Sequence, residues 1–184
     1  DKEATATQKG SKHEECKVCG YKKAAVEIPA TGSTTKPTDP TQTNPKIGTI
    51  VKDAAGIFNY RITGTDTVEV KNMTATGKIT KAVKISKTIK VNGRTLKVTG
   101  IAANAFKGNK KMTSVTIGSN VKTIGSGAFM NCRNLTRVTV TAKGLTSIGK
   151  NAFKGDRKLK TVNLRKVKAL KKVGKGGFKG ISKK

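Results

Sequence analysis

Few residues of this chain have the chemistry for metal binding or catalysis. His13, Cys16 and Cys19 form an H-x-x-C-x-x-C run, the spacing of half a zinc site. Structural zinc takes four ligands, usually as two such pairs, and no second pair follows. Two readings stay open: half a zinc ribbon completed by sequence upstream, or a local disulfide of a secreted protein. No metal is expected within the chain itself. His13 is the only histidine of the 184 residues, and Cys132 stands alone. Asp156 is the single acid of residues 71–184 and has no carboxylate near it in sequence to share acid–base work. No Ser/His/Asp set and no phosphate-binding glycine loop can be assembled. The chain is therefore expected to have no catalytic residue and no cofactor, and not to be an enzyme.

Charge is the stronger signal. Residues 1–70 hold ten Lys/Arg against nine Asp/Glu, whereas residues 71–184 hold 29 against Asp156 alone. A field of one sign attracts polyanions such as acidic glycans, wall polymers, nucleic acid or an anionic membrane surface. Lysine also fills exposed positions simply because it is well solvated. Sequence-specific nucleic-acid binding is not expected: there is no helix-turn-helix, zinc-finger or RNP pattern, and aromatics are 4% of the chain. No apolar run reaches the roughly 18 residues that span a bilayer, so no membrane insertion is expected. No secretory leader is visible, so the sequence reads as a mature form or an excised piece.

These cations must be carried by some scaffold, and its period is explicit. Four phrases recur: Ile101 to Phe106, Ile124 to Phe129, Ile148 to Phe153 and Val173 to Phe178, at spacings of 23, 24 and 25 residues. Val98, Val121, Leu145 and Leu170 precede them. Met112, Leu135 and Leu159 fall six residues after the first three phenylalanines. Then come Val115 with Ile117, Val138 with Val140, and Val162 with Leu164, in an L-x-x-V-x-[ILV] pattern. A repeat of this length, with one strand whose alternate residues point inward, is a stack of leucine-rich rungs. The period lengthens in one place only, between the strand and the next phrase, as expected if insertions enter one loop.

The other segments read differently. Residues 1–32 are polar and too short for a core of their own. Residues 33–46 carry three prolines among Thr, Ser and Asn, an extended linker. Residues 47–97 read as strands: Phe58, Tyr60 and Ile62 alternate with polar residues, Gly64-Thr65-Asp66 turns, and Thr67 to Val70 alternates again. Asn92-Gly93 between two alternating runs marks a second hairpin. Such a region ahead of a stack would shield the apolar end of the first rung.

Residues 98–184 resemble the bacterial surface-protein leucine-rich repeat, the BspA-like class, through Ile124-Gly125, Ala128-Phe129, Cys132, Leu135, Val138 and Val140 and their four-fold recurrence. The resemblance implies a right-handed solenoid, with the hairpin region as its N-terminal cap. Together with the period and the linker, it makes the expected fold mostly β: a right-handed solenoid of about four rungs with a β-hairpin N-terminal cap and a flexible N-terminal tail. It implies secretion or cell-surface display and adhesion, with no catalysis. Lys184 stops where the last rung's strand should begin, so that rung is expected to be truncated. The run from Lys9 through Cys16, Cys19 and Tyr21 to Ile28-Pro29-Ala30-Thr31-Gly32 resembles the end of a small module repeated in Gram-positive surface proteins.

Two ladders of candidate binding residues follow. Outward strand positions are Ser114, Arg137 and Thr161, then Thr116, Thr139 and Asn163, then Gly118, Thr141 and Arg165. Stacked rungs would align them into one surface for a glycan or peptide, although threonine also suits exposed strands by propensity alone. Lys110, Arg133 and Arg157, four residues after each phenylalanine, form a basic stripe, with Lys111 and Lys158 beside it and Lys107, Lys154 and Lys179 just after the rings. Cys132 shares its slot with Asn109 and Asp156, as a small residue closing the turn. The expected chain is a monomeric, non-catalytic extracellular module adhering to protein, acidic glycan or cell-wall polymer. The other expectation kept open is an accessory domain anchoring a larger secreted enzyme. If the four rings form one buried column, Phe129→Ala should cost about 3–5 kcal/mol in denaturant unfolding; an unchanged midpoint would refute the column.

Overall fold

The computed structural model describes residues 45–182 and the backbone of two short strands before them. The chain divides into two compact units, 1–41 and 42–184. In the first, β1 (Gly10–Lys12) and β2 (Val26–Ile28) pair antiparallel, with Gly10 opposite Ile28. His13, Cys16, Cys19 and most of the 33–46 linker lie outside the described residues, so the readings made for them stay as expectations.

The second unit opens with β3 (Ile50–Lys52), β4 (Phe58–Ile62) and β5 (Thr67–Met73), paired antiparallel in that order. Alternation does what the sequence requires: Phe58, Tyr60, Ile62, Val68 and Val70 are buried. A single helical turn, α1 (Ala75–Ile79), follows, with Thr74 Oγ1 accepting from the Gly77 N–H at 3.1 Å. Next come β6 (Ala82–Ile85), β7 (Thr88–Val91) and β8 (Arg94–Ile101). β7 and β8 form the expected hairpin. Asn92 and Gly93 sit at φ 48° and 75°, the paired left-handed geometry that a two-residue turn demands.

The rungs then build two parallel ladders. β9 (Ser114–Ile117), β11 (Arg137–Val140) and β13 (Thr161–Asn163) align Val115, Val138 and Val162. β6 joins the same sheet, with Val83 opposite Val115, so the sheet starts one strand upstream of residue 98. On the other ladder β5, β8, β10 (Thr123–Ile124), β12 (Ser147–Ile148) and β14 (Lys172–Val173) run parallel. Ile101, Ile124 and Ile148 are buried there, while Val173 on the last strand is 47% exposed.

A third ladder is made by the phenylalanine segments, none of which is a strand. Phe106 N–H donates to Ala128 O, Phe129 N–H to Ala152 O and Phe153 N–H to Gly177 O, at 2.7–2.8 Å. The residues two before and two after each ring donate likewise, Asn104 to Ser126 and Gly108 to Met130 in the first rung. Those flanking donors are all left-handed, φ 56–78°, and all are Asn or Gly, the residues that tolerate it. The rings follow the backbone: Phe106, Phe129, Phe153 and Phe178 stack with centroids 4.8, 5.0 and 5.2 Å apart and planes within 2°. Phe58 meets Phe106 edge-on at 6.0 Å and 84° and ends the column.

The rungs approach closely enough to dictate glycine. A Cβ on Gly149 would lie 2.5 Å from Ser126 N, and Gly125 and Gly174 meet the preceding rung's backbone in the same way. The slot of Asn109, Cys132 and Asp156 does more than close a turn, because each residue reaches into the layer before it. Asn109 Nδ2 donates to Lys78 O, Cys132 Sγ to Phe106 O, and Asp156 Oδ1 accepts from Cys132 N–H at 2.8 Å. Asp156 is fully buried and its Oδ2 has no hydrogen-bond partner. Burial raises its carboxyl from 3.8 to about 8, against the lowering effect of the Cys132 N–H.

Two outcomes follow. Gly149→Ala should destabilise by at least about 1–3 kcal/mol through overpacking, whereas Gly144→Ala, with nothing within 4 Å, should be neutral or slightly stabilising in the same unfolding measurement. Asp156 is protonated when folded over a range where the unfolded chain has ionised. Its contribution is therefore most favourable below about pH 4 and is lost as pH rises toward 8. Asp156→Asn should raise the melting temperature at pH 9 relative to the parent and differ far less at pH 4; a gap independent of pH would show that this carboxyl does not titrate.

Candidate functional site

The outward strand residues fall into two rows. Ala82, Ser114, Arg137 and Thr161 stand at one register position, Lys84, Thr116, Thr139 and Asn163 at the next but one. The residues between them point inward, so both rows share the solvent side of one sheet. Threonines that flank the strands are spent on the scaffold: Thr136 Oγ1 donates to Thr113 O at 2.9 Å, Thr146 to Lys122 O at 3.0 Å and Thr141 to Ile117 O at 2.7 Å. Among the described residues, Ser114, Thr116, Thr139 and Thr161 make no such side-chain bond; Thr161 is exposed and the other three are half-buried.

The third row read from the sequence does not form a row of free side chains. Gly118 is buried, and a Cβ on it would meet Ile85 O at 2.6 Å. Thr141 is committed to Ile117, and Arg165 lies beyond the end of β13, its N–H donating to Asn163 Oδ1 at 3.1 Å. Lys84 joins the face through β6, which the sequence reading did not recognise as a rung strand. A groove of about 420 Å³ runs beside Lys84, Thr116 and Thr141.

Lys110, Arg133 and Arg157 are all exposed and stand one per rung after the phenylalanine segments, on a different element from the strand rows. The side chain of Lys158 donates to Asn134 Oδ1 at 2.9 Å, and Asn134 Nδ2 donates to Lys110 O at 2.7 Å, which ties the neighbouring row together. Where the row meets β5 and α1 an open cavity of about 500 Å³ is lined by Lys78, Lys107, Lys110 and Lys111, with Asn72 and Asn104. Lys78 and Asn72 carry no period or motif, and only the fold brings them to Lys110.

Electrostatics of this surface are one-sided. The acids among residues 45–182 are Asp53, Asp66, Glu69 and Asp156. Asp53 Oδ1 accepts the Ile57 and Phe58 N–H groups, Asp66 pairs with Lys97 at 3.0 Å, Glu69 pairs with Arg61, and Asp156 is buried. None is left to neutralise the cations after the rings. Burial, then the Asp156 charge, pushes the Cys132 thiol up to about 12, so it is no thiolate nucleophile. Among the described residues no three His, Cys, Asp or Glu gather as for a metal ion, and no helix is long and apolar enough to cross a membrane.

Several known proteins share this architecture. A leucine-rich repeat protein from Bacteroides ovatus is 29% identical over 68% of the chain, with a TM-score of 0.59; the chain spans 32% of that protein's length. One from Bacteroides capillosus is 24% identical over 68% of this chain and 96% of its own, with a TM-score of 0.55. The leucine-rich repeat protein of T. pallidum is 23% identical over 70% of this chain and 67% of its own, with a TM-score of 0.51. No curated protein matches the chain in sequence. Six copies of the BspA type leucine rich repeat region match residues 83–183, more than half of the 184 residues. The repeats, their inward leucines and valines and the parallel strand ladders thus have one source: the chain belongs to the BspA-type leucine-rich repeat family.

Proposed function

We propose that this chain is a non-catalytic binding module displayed outside the cell, secreted or at the cell surface. In this reading the rungs form a right-handed solenoid, the β-rich residues 47–97 cap its front, and the monomer presents a basic repeat surface that adheres to protein, acidic glycan or cell-wall polymer. One observation carries it: the only acid of residues 71–184 is buried while the cations around it are exposed. A surface of one sign over many rungs favours a partner that is itself a polymer of the opposite sign. The unspent hydroxyls of Ser114, Thr116, Thr139 and Thr161 support a hydrogen-bonding contact on the strand face once charge has brought the partner close.

The test is retention of the purified chain on immobilised acidic polysaccharide, teichoic acid and matrix protein, with neutral polysaccharide as control. Retention on the acidic supports at low ionic strength should fall steeply as salt is added, because contacts between exposed charges are screened within about 8–10 Å at physiological salt. Absence of retention on every acidic support at low salt would end the electrostatic reading.

A further inference from the structure

We propose that the phenylalanine side of the stack is a track for a linear polysaccharide carrying one carboxylate per sugar, starting in the lysine-lined cavity and running over Arg133 and Arg157. This rests on the polyanion reading above and gives it a place and a ligand class.

The argument begins with pitch. The rings of successive rungs are 4.8, 5.0 and 5.2 Å apart, and the phenylalanine segments are bonded backbone to backbone. Lys110, Arg133 and Arg157 stand at the same place in each segment, so the backbone presents one cation per rung along the stack. A linked pyranose advances its chain by about the same distance as one rung. A polymer with one acid group per sugar therefore matches the row in linear charge density, and a flexible one can turn its acid groups toward the cations. Guanidinium groups at the second and third places suit a carboxylate, which they can hold through two parallel bonds.

The start of the track is built differently. Lys78, Lys107, Lys110 and Lys111 converge on one cavity of about 500 Å³, and Asp156, the acid of residues 71–184, is buried. Asn72 and Asn104 add amides to the lining, donors and acceptors of the kind sugar hydroxyls need. Exposed aromatic rings are missing from this surface among the described residues, since Phe106, Phe129 and Phe153 are buried in their column. That disfavours a single-stranded nucleic acid, which binds largely by stacking its bases.

The experiment uses the full chain, polygalacturonate oligomers of graded length, and matched-charge polyphosphate and single-stranded DNA. Two variants lose the same number of cations: Lys78, Lys107, Lys110 and Lys111 to Gln, and Lys87, Lys90, Lys122 and Lys143 to Gln as control. Equal melting temperatures establish that both remain folded. The cavity variant should raise Kd for the polyuronate about tenfold or more at low salt, the control no more than about twofold, as local charged hydrogen bonds outweigh diffuse field. Affinity should grow with oligomer length until the row is covered, and Arg157→Gln should weaken long oligomers more than short ones. Equal loss in both variants would overturn the track while leaving general polyanion binding intact. Tighter binding of polyphosphate or DNA through the same lysines would overturn the carboxylated-sugar assignment. No binding of the parent chain to any of the three would remove the underlying reading as well.

Discussion

The close approach of one rung to the next is the constraint on which the structure depends. Between phenylalanine segments the N–H···O distances are 2.7–3.1 Å, which requires backbones to meet with no side chain between them. Left-handed Asn or Gly at the flanking positions turns their N–H groups along the stack. Glycine at 125, 149 and 174 removes the Cβ that would otherwise strike the preceding rung. Once that spacing is set, identical rings at identical places have one packing available, parallel and about 5 Å apart. The two strand ladders share the same spacing because parallel strands are held at roughly 4.8 Å. One repeat distance is thus imposed three times around each rung.

Much of this was legible in the sequence because it repeats. Phe129 could be placed in a column, Val138 and Val140 inward and Thr139 outward, since each position recurs with the same residue class. Asn92-Gly93 was legible for a local reason, the geometry of its turn. α1 was not, because five residues are too few to show a helical period. β6 is not legible although Val83 and Ile85 alternate correctly, because no Ile-Gly-x-x-Ala-Phe phrase precedes them to mark a rung. Alternation alone predicts an outward Gly118. Beyond the end of β9, however, alternation no longer applies, and the chain there lies against Ile85 and Ser86.

The candidate surface divides along the same line. Position within a rung fixes which residues face solvent, so Arg137 and Thr161, Lys110 and Arg157 were all correctly exposed. It does not fix which rows share a face, and the candidate residues separate into a strand face, a phenylalanine-segment row and Arg165 beyond the end of β13. Nor does it tell a hydroxyl that binds the scaffold from one that is open. Thr136, Thr139 and Thr141 are near neighbours in sequence, yet only Thr139 keeps its hydroxyl unspent.

The spacing that makes the core also makes the charge costly. Two cations one rung apart repel by about 0.8 kcal/mol in water before salt screens them. Their long side chains splay to lessen it, but the backbone cannot move them to a different pitch. An interspersed acid would be the ordinary remedy. Residues 71–184 offer only Asp156, and burial has turned it toward the neutral form. Repulsion built into a rigid repeat is relieved most effectively by a partner with matching period, because one flexible counter-charged chain neutralises every rung without disturbing the stack. The regular interior and the unbalanced exterior thus meet in one pitch, and the proposed polyanion partner follows from that conjunction.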